Sequence, residues 1–165
     1  MTEVECFRKI YLLQDLSGDD LNRLVELTRS RQLAAGEVIV REGESGDSMF
    51  IMCEGEVEIT KRLTLVLDEE VPKERVMIRL KAEDGVSFGE MALLENDSRS
   101  ATVTALTDCR ILELSRQNFL GFIEQHPQTG CKMLLRLAQL LSQHLRKTDQ
   151  NVVKLTTALA IALGG

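Results

Sequence analysis

The apolar residues of this chain change their period twice along its length, and that change limits the fold more than any other feature. From Gln32 to Leu114 they come in short runs: Val38-Ile39-Val40, Met49-Phe50-Ile51-Met52, Val57-Glu58-Ile59, Leu63 to Leu67, Val76 to Leu80, Ala101 to Ala105 and Ile111 to Leu114. Gly36, Gly43, Gly46, Gly55 and Gly85 fall between the runs. Many short strands divided by glycine turns predict a β sandwich or barrel. The charged stretch Asp68 to Arg75, with Pro72, predicts one longer solvated hairpin loop.

On both sides of this region the spacing is helical. Residues 1–30 predict an N-terminal helical segment, with Leu12, Leu13 and Leu16 followed by Leu21, Leu24, Val25 and Leu27. Ser17 ahead of Asp20 has the form of a helix N-cap with an acid in the first turn. Residues 31–115 make the strand region, and residues 116–165 return to helix. Pro127 separates a short helix over Gln117 to Gln125 from a long one over 129–163, which Gly164 and Gly165 terminate. Apolar positions in the long helix alternate by four and three: Leu134, Ala138, Leu141, Leu145, then Val152, Leu155, Leu159 and Ala162, with polar Thr148 interrupting. Such a heptad seam fits either packing on the chain's own strands or a helix pair. The sustained period favours the pair, a homodimer through Leu134, Ala138, Leu141, Leu145, Val152 and Leu155.

Composition removes several function classes. With 165 residues, 44% hydrophobic and 28% charged, the chain is globular and long enough for its own core. Only 4% is aromatic and Trp is absent, so that core is aliphatic. The formal net charge of −6 argues against a broad nucleic-acid or membrane-binding face. It is unevenly spread: residues 131–165 hold five basic residues against Asp149, a net +4, which leaves −10 for the rest. Basic residues flanking a seam are ordinarily solvated, so no direct nucleic-acid contact is expected. The opening MTEVECFRKI has no apolar signal region, and no run of about 18 apolar residues exists, so a cytoplasmic protein without a membrane span is expected. Cys6, Cys53, Cys109 and Cys131 form no CxxC motif, and His126 and His144 have no second ligand at metal-binding spacing. Free, buried thiols and no metal are expected.

The chemistry concentrates in residues 88–105. A strand ends at Phe88, Gly89 permits a tight turn, and the helix-forming residues Met91 to Leu94 follow. The first amides of such a turn are unpaired and suit an anion. Arg99, at the entry to the next strand, can reach the same point with a guanidinium fork, and Ser100 adds a hydroxyl donor. Glu90 only accepts hydrogen bonds. Beside an anion it makes sense as the acceptor for ligand hydroxyls such as a ribose 2′-OH. On the residues alone, a surface Arg–Glu pair closing a strand corner accounts for the same pattern.

The stretch Phe88-Gly89-Glu90-Met91-Ala92-Leu93-Leu94, with Arg99-Ser100-Ala101-Thr102-Val103-Thr104-Ala105 after it, resembles the phosphate-binding cassette of cyclic nucleotide-binding domains. That pattern is F-G-E-[LM]-A-L-L followed by R-[AST]-A-T-V-x-A. The likeness extends to Leu33 to Ile39, to Arg41 to Ile51 and to Gly55-Glu56-Val57-Glu58-Ile59, and so covers nearly the whole chain. One departure is Ser98, where many members carry Pro.

The resemblance implies an α+β fold: an eight-stranded β-roll of the jelly-roll, or double-stranded β-helix, type, with flanking N-terminal helices and a long C-terminal helix. It implies cAMP or cGMP as ligand, with cAMP favoured by Ser100, and no catalysis or other cofactor. Glu90 with Gly89 would take the ribose. Met91, Ala92, Arg99 and Ser100 would hold the cyclic phosphate. The long helix resembles the dimer helix of the catabolite activator branch, where Thr148 would meet the base and Asp149 stands in place of a Ser. The expected function is a sensor module that transmits ligand state through its C-terminal helix to a partner or effector domain. The alternatives are an interaction module that binds no nucleotide, and the sensor fragment of a helix-turn-helix regulator. A cupin-like metalloenzyme lacks the His cluster it would need.

Overall fold

The computed structural model describes residues 2–62, 74–95 and 97–164. Helix α1 (Glu3–Lys9) opens on a capping box: the Thr2 hydroxyl accepts from the Glu5 amide, and the Thr2 amide donates to the Glu5 carboxylate at 2.7 Å. A single 3-10 turn, Tyr11–Leu13, leads to α2 (Gly18–Glu26). The expected cap at α2 is present, since the Ser17 hydroxyl accepts from the Asp20 amide at 3.1 Å.

Eight strands follow: β1 (Arg29–Leu33), β2 (Val38–Val40), β3 (Ser48–Glu54), β4 (Glu56–Arg62), β5 (Glu74–Lys81), β6 (Ser87–Phe88), β7 (Thr102–Ala105) and β8 (Cys109–Ser115). They pair antiparallel into two four-stranded sheets, ordered β1-β8-β3-β6 and β2-β7-β4-β5. Helix α3 (Arg116–Gln125) and the long α4 (Pro127–Ala162) complete the chain. Pro127 occupies the first turn of α4, where its missing amide hydrogen costs nothing.

Strand β3 explains the arrangement. Its residues Ser48 to Cys53 are all buried, because both faces of the strand are covered. Side chains alternate across a strand. Phe50 and Met52 therefore join Leu33, Val57, Phe88, Val103 and Ile111 inside the roll. Met49 and Ile51 face the other way, onto Phe7, Leu12, Leu21, Leu24, Phe119 and Met133 of the helices. β8 divides likewise, with Ile111 inside the roll and Leu112 and Leu114 against the helices. Each such fully buried side chain stabilises the fold by about 1.5–3 kcal/mol.

Several expectations need correction. The N-terminal helical reading ran to residue 30, but Arg29 and Ser30 lie in β1. That strand is an edge strand and buries only Leu33, so its sequence Arg-Ser-Arg-Gln carries no apolar alternation. The expected loop from Asp68 ends early, since Glu74 and Arg75 pair in β5 with Arg62 and Lys61. The run Leu63 to Leu67 and the rest of that loop lie outside the described residues. The thiols also differ from expectation. Cys6 and Cys53 form a disulfide between α1 and β3, Cys131 is exposed, and only Cys109 is a buried free thiol. A gap of 47 residues carries no spacing signal, and the pair meets only because α1 lies across β3. Among the described residues no helix is long and apolar enough to cross a membrane.

Helix α4 is held at one end. Met133 and Leu137 are buried, and Leu141 is half-buried on the helical core. Of the seam residues, Leu141 is thus used within the chain. Arg136 forms a two-toothed ion pair with Asp15 at 2.6 and 2.9 Å and lies over the Tyr11 ring. Tyr11 in turn donates to Gln139. From Ser142 onward the helix is exposed along its whole length.

A second anchor joins α4 to α2. The Asp20 carboxylate accepts from the hydroxyls of Ser17 (2.8 Å) and Thr129 (3.1 Å). The Ser17 bond chiefly holds the Asp20 carboxyl below its usual pKa; partial burial opposes it, and Thr129 and Arg23 reinforce it. A carboxyl with a lowered folded-state pKa stabilises the fold above its unfolded value, about 3.9, and loses that contribution as pH falls through the folded value. Asp20→Asn is therefore expected to lower the melting temperature at pH 7. Its deficit against wild type should shrink as pH is taken to 3, which thermal melts across that range will read.

Candidate functional site

Strand β6 stops at Phe88 because Gly89 turns left-handed, at φ 80°. A β-carbon at Gly89 would also come within 3.1 Å of the Ser48 carbonyl. The expected helix after this turn is a 3-10 turn, Glu90–Leu93. It buries Ala92 and Leu93 and leaves Met91 exposed. The Ala92 amide bonds back to the Gly89 carbonyl at 3.1 Å, and the Leu94 amide to that of Met91 at 3.0 Å. Ala92 was expected to present a free amide with Met91, and its amide is already engaged. The amides of Glu90 and Met91, at the start of the turn, take no part in these two bonds. Arg116 closes the far end of the turn by donating to the Leu94 carbonyl.

A cavity of about 150 Å³ lies against this turn. Gly89, Glu90, Met91, Ala92, Arg99 and Ser100 all line it, as do Glu95, Asp97 and Ser98. Six residues singled out from sequence thus come together on one small volume. Arg99 is the single cation among the described lining residues, against three carboxylates.

The Arg99 guanidinium is fixed from several sides. Its Nη1 donates to the Ser48 carbonyl at 2.7 Å, and its Cζ sits 5.5 Å from the centre of the Phe50 ring. Phe50 stacks on Phe88 at 5.3 Å, so the strand that ends at the turn also supports the arginine. Backbone bonds hold the base of the side chain: Arg99 N donates to the Glu44 carbonyl at 2.8 Å, and Gly43 N to the Arg99 carbonyl at 2.9 Å. Burial lowers the Arg99 pKa from its ordinary value, while Asp47 and Glu113 oppose that shift. An arginine so placed keeps its charge.

The base-contacting pair behaves differently. Thr148 and Asp149 are exposed on α4 and do not line the cavity. The Thr148 hydroxyl instead donates to the His144 carbonyl one turn earlier. His144 itself reaches the site, with its Nδ1 3.6 Å from a carboxylate oxygen of Glu90. Glu90 is nearly enclosed, at 13% side-chain exposure, and so meets α4 through this histidine. In the sequence His144 has only the lack of a second ligand at metal-binding spacing to mark it; a lone histidine on a helix carries no signal of a partner on a distant turn. Nothing in the sequence marks Asp47, Ser48 or Phe50 as partners of Arg99. Among the described residues no group of His, Cys, Asp and Glu is arranged to hold a metal.

Comparisons with known proteins agree with this geometry. The family model for the cyclic nucleotide-binding domain matches residues 30–126, more than half of the chain. A cyclic nucleotide-gated potassium channel from Rhizobium etli is 38% identical over 117 residues, covering 71% of this chain and 29% of the channel. The structure resembles the catabolite activator protein of Thermus thermophilus with a TM-score of 0.76 and 26% identity, over 88% of this chain and 63% of that one. It also resembles the regulatory domain of Toxoplasma gondii PKA, solved with cAMP, with a TM-score of 0.63 and 30% identity, over 73% of this chain and 42% of that one. The chain spans only 15% to 35% of the length of curated relatives such as glutaminases, channels and kinases. The match over residues 30–126, an antiparallel eight-stranded roll between helices and a turn-and-arginine cassette on one cavity make this chain a member of the cyclic nucleotide-binding domain family.

Proposed function

We propose that the chain is a sensor module that binds a cyclic nucleotide, cAMP in preference to cGMP, and passes its ligand state on through α4. The observation that carries this reading is the convergence of Glu90, the turn amides and Arg99 on one cavity. In this reading Glu90, with Gly89 beside it, accepts from the ribose 2′-OH. The Met91 amide and the Arg99 fork hold the cyclic phosphate, with Ser100 beside them in the cavity wall. Ala92 serves by closing the turn.

The charge of the cavity supports a phosphodiester over a phosphomonoester. One arginine balances the single charge of a cyclic phosphate. A monoester carries about −1.5 to −2 at pH 7, and its excess would face Glu90, Glu95 and Asp97.

Transmission follows from the same contact. A ribose hydroxyl that takes the Glu90 carboxylate competes with His144, and so alters the hold on α4. A ligand shifts a helix between poses only by binding one pose better. In the alternative pose Thr148 and Asp149 come over the base. The exposed seam on α4, with Leu145, Val152, Leu155 and Leu159 all more than half exposed, fits a second copy of the chain. Cytoplasmic residence and an effector elsewhere in a longer protein accord with this reading. The competing reading, an interaction module without a ligand, draws on that apolar seam alone.

Calorimetric titration with cAMP, cGMP and 5′-AMP tests the proposal. Binding of cAMP is expected to be the tightest, and 5′-AMP at least about tenfold weaker. No heat with either cyclic nucleotide would leave only the interaction module. Arg99→Ala should weaken binding by about 2–4 kcal/mol, roughly 30- to 1,000-fold, because a buried phosphate loses its counter-charge. The double substitution Val152→Glu/Leu155→Glu should yield a monomer by light scattering with the thermal melt of the body retained; a dimer that persists would reject the seam.

A further inference from the structure

Two glycines touch the Arg99 guanidinium, and they are there for different reasons. Gly89 needs its left-handed φ of 80° to end β6. Gly46 has no such need, since its φ lies outside the left-handed region. What requires a glycine at 46 is the arginine. A β-carbon built there would collide with the Arg99 Nε and Cζ and lie 2.5 Å from Nη2. The guanidinium therefore lies in a slot. The bare Cα of Gly46 is on one side, and Gly89 is on another, where a β-carbon would be 2.8 Å from Nη1. The Phe50 ring flanks the same group at 5.5 Å from Cζ.

The backbone at Gly46 has little freedom to retreat. Ser45 forms a β-bridge with Ser98. The Glu44 carbonyl and the Gly43 amide are both bonded to Arg99, and the Asp47 carbonyl accepts from the Arg116 amide. The main chain is thus tied on each side of residue 46. The Arg99 head is the far end of a long, jointed side chain, and it is what yields under a collision.

We propose that Gly46 is a positioning residue for the phosphate-binding arginine: its missing side chain makes the slot that aims the guanidinium at the cavity. The inference rests on the reading of Arg99 as the phosphate partner. A β-carbon at residue 46 displaces the guanidinium, breaks its bond to the Ser48 carbonyl and swings the charge away from the turn amides. The fold loses little, because only a side-chain tip moves.

The test uses the full chain carrying Gly46→Ala, Arg99→Ala, or both, titrated with cAMP and cGMP, the weakest binders by competition at high nucleotide. Gly46→Ala is expected to weaken binding at least about tenfold, with a melting temperature within about 2 °C of wild type. In the Arg99→Ala background it should add less than about twofold, since the group it displaces is gone. Unchanged affinity for Gly46→Ala overturns the proposal. So does a loss of equal size in the Arg99→Ala background, which would mean that residue 46 acts by another route. The Arg99 Nε–H resonance, read by NMR without nucleotide, gives an independent answer: a shifted signal in Gly46→Ala supports the slot, and an unmoved one overturns it. If wild type binds neither nucleotide, the sensor reading fails by itself and this resonance still decides the role of Gly46.

Discussion

The burial of β3 on both faces is the constraint on which the rest of the structure depends. Phe50 and Met52 complete the interior of the roll, and Met49 and Ile51 complete the helical core, so this strand, with β8 beside it, joins the two cores. Its first residue supplies the carbonyl that holds Arg99, and Phe50 supplies the ring beside the guanidinium. Arg99, the proposed phosphate partner, is therefore aligned by a strand packed on both faces. Core packing of this kind moves little, because interiors are as dense as organic crystals. Pre-alignment matters for an anion partner, since a guanidinium fixed before binding loses less freedom when the bond forms.

The acidity of the chain takes on a narrower meaning at this site. The cavity is itself acidic in sum, with Glu90, Glu95 and Asp97 around Arg99. In the proposed function an anion would be attracted there only where the guanidinium acts at short range. The three carboxylates on the same cavity would act against a more highly charged guest. In the proposed function, selectivity by charge number would draw on repulsion as well as attraction.

Much of this was readable from the residues, and what was not has a physical cause. Phe88 to Ala105 was legible because a tight turn, a short helix start and an arginine at the next strand's entry are all local in sequence. The cap at Ser17 and the break at Pro127 were legible for the same reason. β1 was not, because an edge strand buries one residue in five and leaves no alternation to see. The contact of His144 with Glu90 and the slot at Gly46 were hidden because each depends on chain segments that meet only after the sheets close. The bond between Cys6 and Cys53 belongs to the same class. Alignment to a family motif marked Thr148, but the geometry set His144, one turn away, against the site.

The one-sided anchoring of α4 gives the molecule a mechanical property. At about 1.5 Å of rise per residue, the stretch from Leu141 to Ala162 projects roughly 30 Å beyond its last buried contact. Its root is held by Met133, Leu137 and the Arg136–Asp15 pair, close to where His144 meets Glu90. A tilt of about 10° at that root would carry the tip about 5 Å, near the spacing of one helical turn. In the proposed sensor the helix would act as a lever whose fulcrum lies next to the cavity. On that reading, a displacement at the site too small to disturb the packed body would become, at the far end, a shift large enough to change which side chains face the helix of a second copy.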